Sequence, residues 1–444
     1  MSQYSVSRNK HYHRGNNDIH DVVMVADEFG YIKEQANATS KGRLKVSPYE
    51  TVFFNTFQYG IETDVWDTEV TGTASATWDS ENSQVILSVG GTAGDKIVRQ
   101  TRTTQRYIPG RTSTVSYAVL LGTPAEGIRK RIGMFDQSED GFWFEDSGVW
   151  VDGVPNYNCT VSNGNTPISV PRSQWNGDKL DGTGPSGIVA DPTKIQLISI
   201  EYEWYGAGAV KFGWVIDGNT HVVHTHHNGN HYILPWAKTP FLPIRLEMEA
   251  LSTVAGGPFL LTQGSNSLIS EGSVGKIGIG ENVSAPFYGT RMAAALTNAG
   301  TSDNWYPILS IRLKAADLKG IVLPASFQVA TVDNTNVFYK LCRNAVLTNG
   351  GANGWTALQD ENSFVEYQTY TAPTAVPVAS HGVSIASGFA IGGGGGANVV
   401  LDEQTVYQLG RTDMGATSDT LTIMCASSNT GKDAIASMTW IEQR

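Results

Sequence analysis

Glu201 and Glu203 stand two residues apart within Lys194–Gly218, and they are the first residues here that could do chemistry. Side chains two apart on a strand share a face. Two carboxylates on one face can act as nucleophile and acid/base in sugar hydrolysis. A fuller acid set on such a strand would need a third carboxylate at position 206, which is glycine. The set is incomplete, so we read the pair as a solvated strand face and expect the chain not to be an enzyme.

Five histidines, His221, His224, His226, His227 and His231, crowd the segment after Asn219. His224 and His226 share a strand face and could chelate one metal ion, within one chain or across three copies on a threefold axis. No cysteine or carboxylate stands nearby at matching spacing, so the reading is surface imidazoles with some pH sensitivity. Asn176, Asp178 and Asp181, ahead of Gly182, offer hard oxygens to calcium. The EF-hand spacing is absent, however, and Asn and Asp before Gly form turns in any case. Trp175 would anchor that loop. Trp143, Trp150, Trp204, Trp214, Trp236 and Trp440 include candidates for a sugar-stacking platform, most of them core residues. No Gly-x-Ser-x-Gly nucleophile elbow occurs. The run Gly392 to Gly396 lacks a strand–helix context and reads as a flexible loop or tight bend. We therefore expect no catalytic residue, no cofactor and no metal.

The glutamates must be positioned by a hairpin. Ile198, Ile200, Tyr202 and Trp204 fall on one face of a first strand, and Val210, Phe212, Trp214 and Ile216 on one face of a second. Tyr205-Gly206-Ala207-Gly208 between them is a turn signal. Such an aromatic face must be covered by another sheet. Strand signals start near Tyr49 and recur every 10–15 residues with Gly, Asn or Asp between, the pattern of a sandwich or barrel. In Pro243–Leu251, Ile244, Leu246 and Met248 alternate with Arg245, Glu247 and Glu249. The fold class is all-β: two β-sandwich domains of jelly-roll or concanavalin-like type, residues 46–285 and 286–444, behind an extended N-terminal arm, residues 1–45.

Composition agrees. The chain has 444 residues and 48 glycines, and its 16% charged residues fall below the roughly 25% of ordinary domains. Its net charge of −11 argues against a nucleic-acid partner, which needs a cationic surface. No apolar run is long enough to span a membrane. The first twenty residues are polar and lack an apolar signal core, so synthesis and assembly in a cytoplasm are expected. Cys159, Cys342 and Cys425 are odd in number and far apart, which predicts free buried thiols.

Several blocks follow one another along the chain: Ile132-Gly133-Met134-Phe135-Asp136, Asp140-Gly141-Phe142-Trp143-Phe144, Trp175-Asn176-Gly177-Asp178 running to Gly184, Glu203-Trp204-Tyr205-Gly206, Val223-His224 and Leu242-Pro243-Ile244-Arg245. Later come Asn344-Ala345-Val346-Leu347, Asn362-Ser363-Phe364-Val365-Glu366 and Trp440-Ile441-Glu442. In these blocks, over roughly residues 100–444, the chain resembles a family of structural proteins from tailed-bacteriophage virions. The resemblance implies a virion component of β-sandwich domains, assembled in the host cytoplasm as a homo-oligomer, with a homotrimer expected. Its partners would be itself and other capsid, collar or tail proteins, with the arm ordering on docking. The alternative is a receptor-binding tail protein that recognises a host-surface glycan; a glycan-cleaving enzyme ranks last. An exposed cluster of aromatic or apolar loop residues would favour the receptor-binding alternative.

Overall fold

The computed structural model describes residues 48–272 and most of 281–443; the segment expected as an N-terminal arm lies outside the described residues. Among the described residues there is no α-helix, and a 3-10 turn, Arg172–Gln174, interrupts the run of strands. The first are β1 (Tyr49–Asn55), β2 (Trp66–Thr71), β3 (Ser75–Asp79), β4 (Gln84–Val89), β5 (Lys96–Thr101), β6 (Ser113–Leu120), β7 (Ile128–Phe135) and β8 (Asp140–Val151). Then follow β9 (Val154–Asn163), β10 (Ile168–Pro171), β11 (Ile195–Tyr202), β12 (Ala209–Ile216), β13 (Asn219–His227), β14 (Ile244–Ala250) and β15 (Phe259–Glu271). These fifteen make two sheets. One runs β13-β12-β11-β6-β15-β4-β3 with β1 also on β15, and the other runs β10-β9-β8-β7-β14-β5-β2.

The remaining strands are β16 (Glu281–Ser284), β17 (Tyr288–Met292), β18 (Tyr306–Leu313), β19 (Ile321–Thr331), β20 (Val337–Arg343) and β21 (Ala352–Ala357). They continue with β22 (Val365–Tyr370), β23 (Val383–Ala390), β24 (Ala397–Val400), β25 (Thr420–Ser427) and β26 (Lys432–Gln443). A five-stranded sheet runs β16-β26-β19-β24 with β17 also on β26, and a six-stranded one runs β21-β22-β18-β25-β20-β23. Residues 281–284 pair with β26 and so belong with the second pair of sheets.

Each pair of sheets encloses one apolar core, because alternate strand residues point inward. β6 alternates buried and half-buried along its whole length. Its Val115, Tyr117 and Val119 meet Ile132, Met134, Phe142 and Phe144 of the facing sheet. Ile308, Ile311, Ile423, Met438 and Trp440 do the same in the second sandwich. The fold is thus all-β with two sandwiches, as the periodicity predicted.

The aromatic hairpin forms in the expected register, with Ile198 opposite Trp214, Ile200 opposite Phe212 and Tyr202 opposite Val210. Trp214 lies between Phe144 and Tyr157 of the other sheet, with ring centroids 5.5 and 5.6 Å away. The three thiols are free and buried. Charged pairs join the two sandwiches. Asp419 accepts hydrogen bonds from Arg102 (2.8 Å) and Arg343 (3.1 Å), and Lys319 reaches Asp136 (2.7 Å) and Asp140 (2.9 Å).

Candidate functional site

The two glutamates do not form a solvated face. Glu201 is 6% exposed and pairs with Lys211 of the neighbouring strand at 3.7 Å. Glu203 is fully buried just past the end of β11, where its N–H donates to the Ala209 carbonyl at 3.1 Å. β11 ends at Tyr202, so the chain has left the strand before Glu203 and the two carboxylates no longer share a strand face. Lys211 then covers Glu201 from across the ladder. Neither carboxylate belongs to the groove that the β11–β12 turn helps to form.

The histidines also separate, and two of them are not surface groups. His224 packs beside Phe212, and His226 stacks on Tyr232 with centroids 5.1 Å apart. Both are buried. Burial pushes the His224 pKa down to about 4 and lowers that of His226, each reinforced by neighbouring histidines. His227 and His231 sit with rings 6.5 Å apart. Among the described residues no group of three or more His, Cys, Asp or Glu is placed to hold a metal ion. The loop oxygens are used as turn caps. Asp178 accepts from the N–H groups of Leu180 (3.0 Å) and Ser186 (2.9 Å), and Asp181 from Thr183 (2.9 Å). Asn176 pairs with the backbone of Thr225 in both directions, at 2.8 and 2.9 Å. Trp175 is buried and donates to the Val170 carbonyl at 3.1 Å.

What the chain does assemble is a groove of about 480 Å³ at one end of the first sandwich, between the β11–β12 turn and the loop after β13. Its walls are Trp204 to Ala207 on one side and Asn228 to Asn230, Tyr232 to Pro235 and Lys238 on the other. Asn228, 3% exposed, ties the two loops together. Its amide donates to the carbonyls of Gly206 and Leu234, each at 3.0 Å, and its own carbonyl accepts from the N–H groups of His231 and Tyr232 at 3.1 Å. Gly229 N–H adds a bond to Ala207 O at 2.9 Å. The Trp204 indole donates to Ala237 O at 3.0 Å, and the Trp204 N–H to the Tyr107 hydroxyl at 2.8 Å. Around this fixed frame Tyr205, Tyr232, Ile233 and Leu234 are exposed, Ile233 fully. Tyr205 stands at φ 99°, a region in which bulky side chains are rare. Lys238 is the one charged side chain in the lining.

The platform tryptophans divide accordingly. Trp214, Trp236 and Trp440 are core-buried, Trp143 is buried beneath Arg131 on the outer face of its sheet, Trp150 is exposed at the β8–β9 hairpin, and of the six only Trp204 lines the groove. Asn228, Tyr232, Ile233 and Leu234 went unremarked in the sequence. Their signal is an apolar run, Tyr-Ile-Leu, lying in a turn-rich Asn-Gly-Asn-His segment where no strand alternation accounts for it.

A second polar assembly covers the outer face of the seven-stranded sheet. Glu247 of β14 sits among Arg131, Arg245 (2.8 Å), Lys96 (3.3 Å) and Arg129 (3.7 Å). Burial would raise its pKa, but Arg131, Arg245 and Lys96 outweigh that and hold it at about 2. The alternation in Ile244–Ala250 points Arg245 and Glu247 outward from the core, yet both are buried. Arg131 lies over the rings of Phe135 and Trp143, 5.4 Å from each centroid.

Neither a protein family nor a curated protein matches this chain. Solved structures of lectin-like sandwiches do. A legume lectin-like domain from Entamoeba histolytica is 11% identical and covers 48% of this chain and 95% of its own, with a TM-score of 0.29. A Bauhinia forficata lectin in complex with GalNAc is 12% identical, covering 50% and 98%, at 0.30. The CBM2 module of the evolved Dit of Lactobacillus casei BL23 phage J-1 is 13% identical, covering 50% and 96%, at 0.32. Each of these similarities is to a domain about half the length of this chain, and none names a family for it.

Proposed function

We propose that this chain is a carbohydrate-recognising β-sandwich protein of a phage particle, and that the groove between the β11–β12 turn and the 228–238 loop is its receptor site. One observation carries the reading: exposed Tyr205 and Tyr232 flank a groove whose two walls are locked together by a buried asparagine. A sugar ring offers an apolar C–H face and an edge of hydroxyls. Aromatic rings suit the first, and amides and backbone groups the second. A volume of about 480 Å³ lies within the range of small-ligand sites. The frame is built before any ligand arrives, which lowers the ordering cost of binding.

On this reading the chain acts by binding and not by turnover, since Glu201 is held by Lys211 and no carboxylate lines the groove. The virion setting rests on the ordered sequence blocks, and the partners would be copies of the chain and neighbouring particle proteins. The test is a glycan array with the intact protein, followed by titration of any hit against Tyr205→Ala and Tyr232→Ala. We expect saccharide binding that each substitution weakens about fivefold or more, since truncating an aromatic anchor in a binding site costs above about 1 kcal/mol. Binding that persists undiminished in the double variant would remove the groove from consideration.

A further inference from the structure

Strand β23 closes one side of the six-stranded sheet, and among the described residues it pairs only with β20. From Gly382 to Leu401, through β23, the glycine run and β24, no residue carries a charge and none is proline. The neighbouring edge of the five-stranded sheet is β24, so two uncharged edges lie next to one another in sequence. Val383, Phe389, Ile391 and Val400 are all more than half exposed along them.

Free strand edges present unpaired N–H and C=O groups, and proteins keep them from pairing with charges, proline, short length or bulges. The other edges of this molecule use these means. β2 carries Asp67 and Glu69, β10 is four residues long and ends in Pro171, and β13 carries four histidines and a register break. β21 breaks register between Ala352 and Trp355. β23 has a break near Ile385, but from Ala386 to Ala390 it pairs without interruption and offers no charge.

We propose that β23 is an assembly edge, covered in the working protein by β23 of a second copy of this chain. The chain carries a net charge of −11, so copies repel wherever their acidic surfaces meet. An edge free of charge over this whole length is where two copies approach at least electrostatic cost. The register break at Ile385 leaves Ala386 to Ala390 as the regular stretch, with Ser387 and Phe389 on one face. Antiparallel pairing about a twofold axis at Gly388 therefore sets each Phe389 against the Ser387 of the other copy and satisfies both backbones. This inference does not depend on the groove.

The test is sedimentation of the intact protein over a range of concentrations, with Ser387→Lys and Phe389→Lys as edge variants and Val70→Lys on β2 as control. Amide hydrogen exchange over 383–390 is measured in parallel. Wild type and control should self-associate, with β23 amides more protected at high than at low concentration. Either lysine should weaken association by about a hundredfold, because it places a charge on the paired, otherwise uncharged edge. A strictly monomeric wild type would overturn the proposal, as would an oligomer, twofold or threefold, that both lysines leave intact. If a variant misfolds, the exchange of wild-type β23 decides: protection independent of concentration rejects the edge.

Discussion

Tyr205 is held at φ 99° while its ring projects at the mouth of the groove. A non-glycine residue there costs on the order of 1–3 kcal/mol. Tyr205→Gly should therefore leave the melting temperature unchanged or raise it, while abolishing the contribution of this ring to saccharide binding. Thermal denaturation and the glycan titration, read side by side, check this; a variant that loses stability and keeps affinity would contradict it. The buried histidines and Glu247 make the first sandwich acid-sensitive in two stages. His224 has its pKa lowered to about 4, so the unfolded chain takes up its proton first as pH falls. The stability contributed by neutral His224 is present above about pH 6.5 and is lost down to about pH 4, an effect on the order of 3 kcal/mol. Glu247, held at about 2, contributes stability that is present above its unfolded pKa and is lost from about pH 4.5 downward. Urea denaturation at stepped pH should show both falls. His224→Gln should shrink the first, leaving the share of His226, and leave the second unchanged.

At the scale of elements, the hairpin β11–β12 does two jobs. Its inner face fills the core through Trp214 and Phe212, and its turn supplies one wall of the groove. The turn closes tightly: a Cβ on Gly208 would lie 1.7 Å from the Glu203 carbonyl oxygen. Gly208→Ala must therefore open the turn. We expect a loss of about 1–3 kcal/mol in equilibrium unfolding, together with loss of the groove, since Asn228 can no longer reach Gly206 O. An alanine variant with wild-type stability would show that the turn is looser than described. The hairpin itself was legible in the residues, because a period of two with glycines between is a local signal. The burial of Glu201 and Glu203 was not. One depends on Lys211 across the ladder and the other on where β11 stops, and neither is encoded within the strand.

At the scale of the whole molecule, two sandwiches are joined by ion pairs with little exposed surface. Asp419, which is fully buried, receives Arg102 from the first sandwich and Arg343 from the second, and Asn344 donates to it at 2.8 Å. Removing one partner of a buried pair leaves the others uncompensated, at about 3–5 kcal/mol. Asp419→Ala should separate the unfolding of the two sandwiches, giving two calorimetric transitions where the wild type gives one. A single unshifted transition in the variant would mean that the junction is held elsewhere. By itself the sequence determined the all-β class, the two cores, the central hairpin and the free thiols, because each follows from alternation, composition or count along the chain. The tertiary structure alone decided which polar groups are buried and which aromatics stay outside. Asn228 meets Gly206, Arg131 meets Glu247 and Asp419 meets Arg102 across long separations in the chain, and contacts of that kind depend on how the sheets stack, a property that no local window of residues contains.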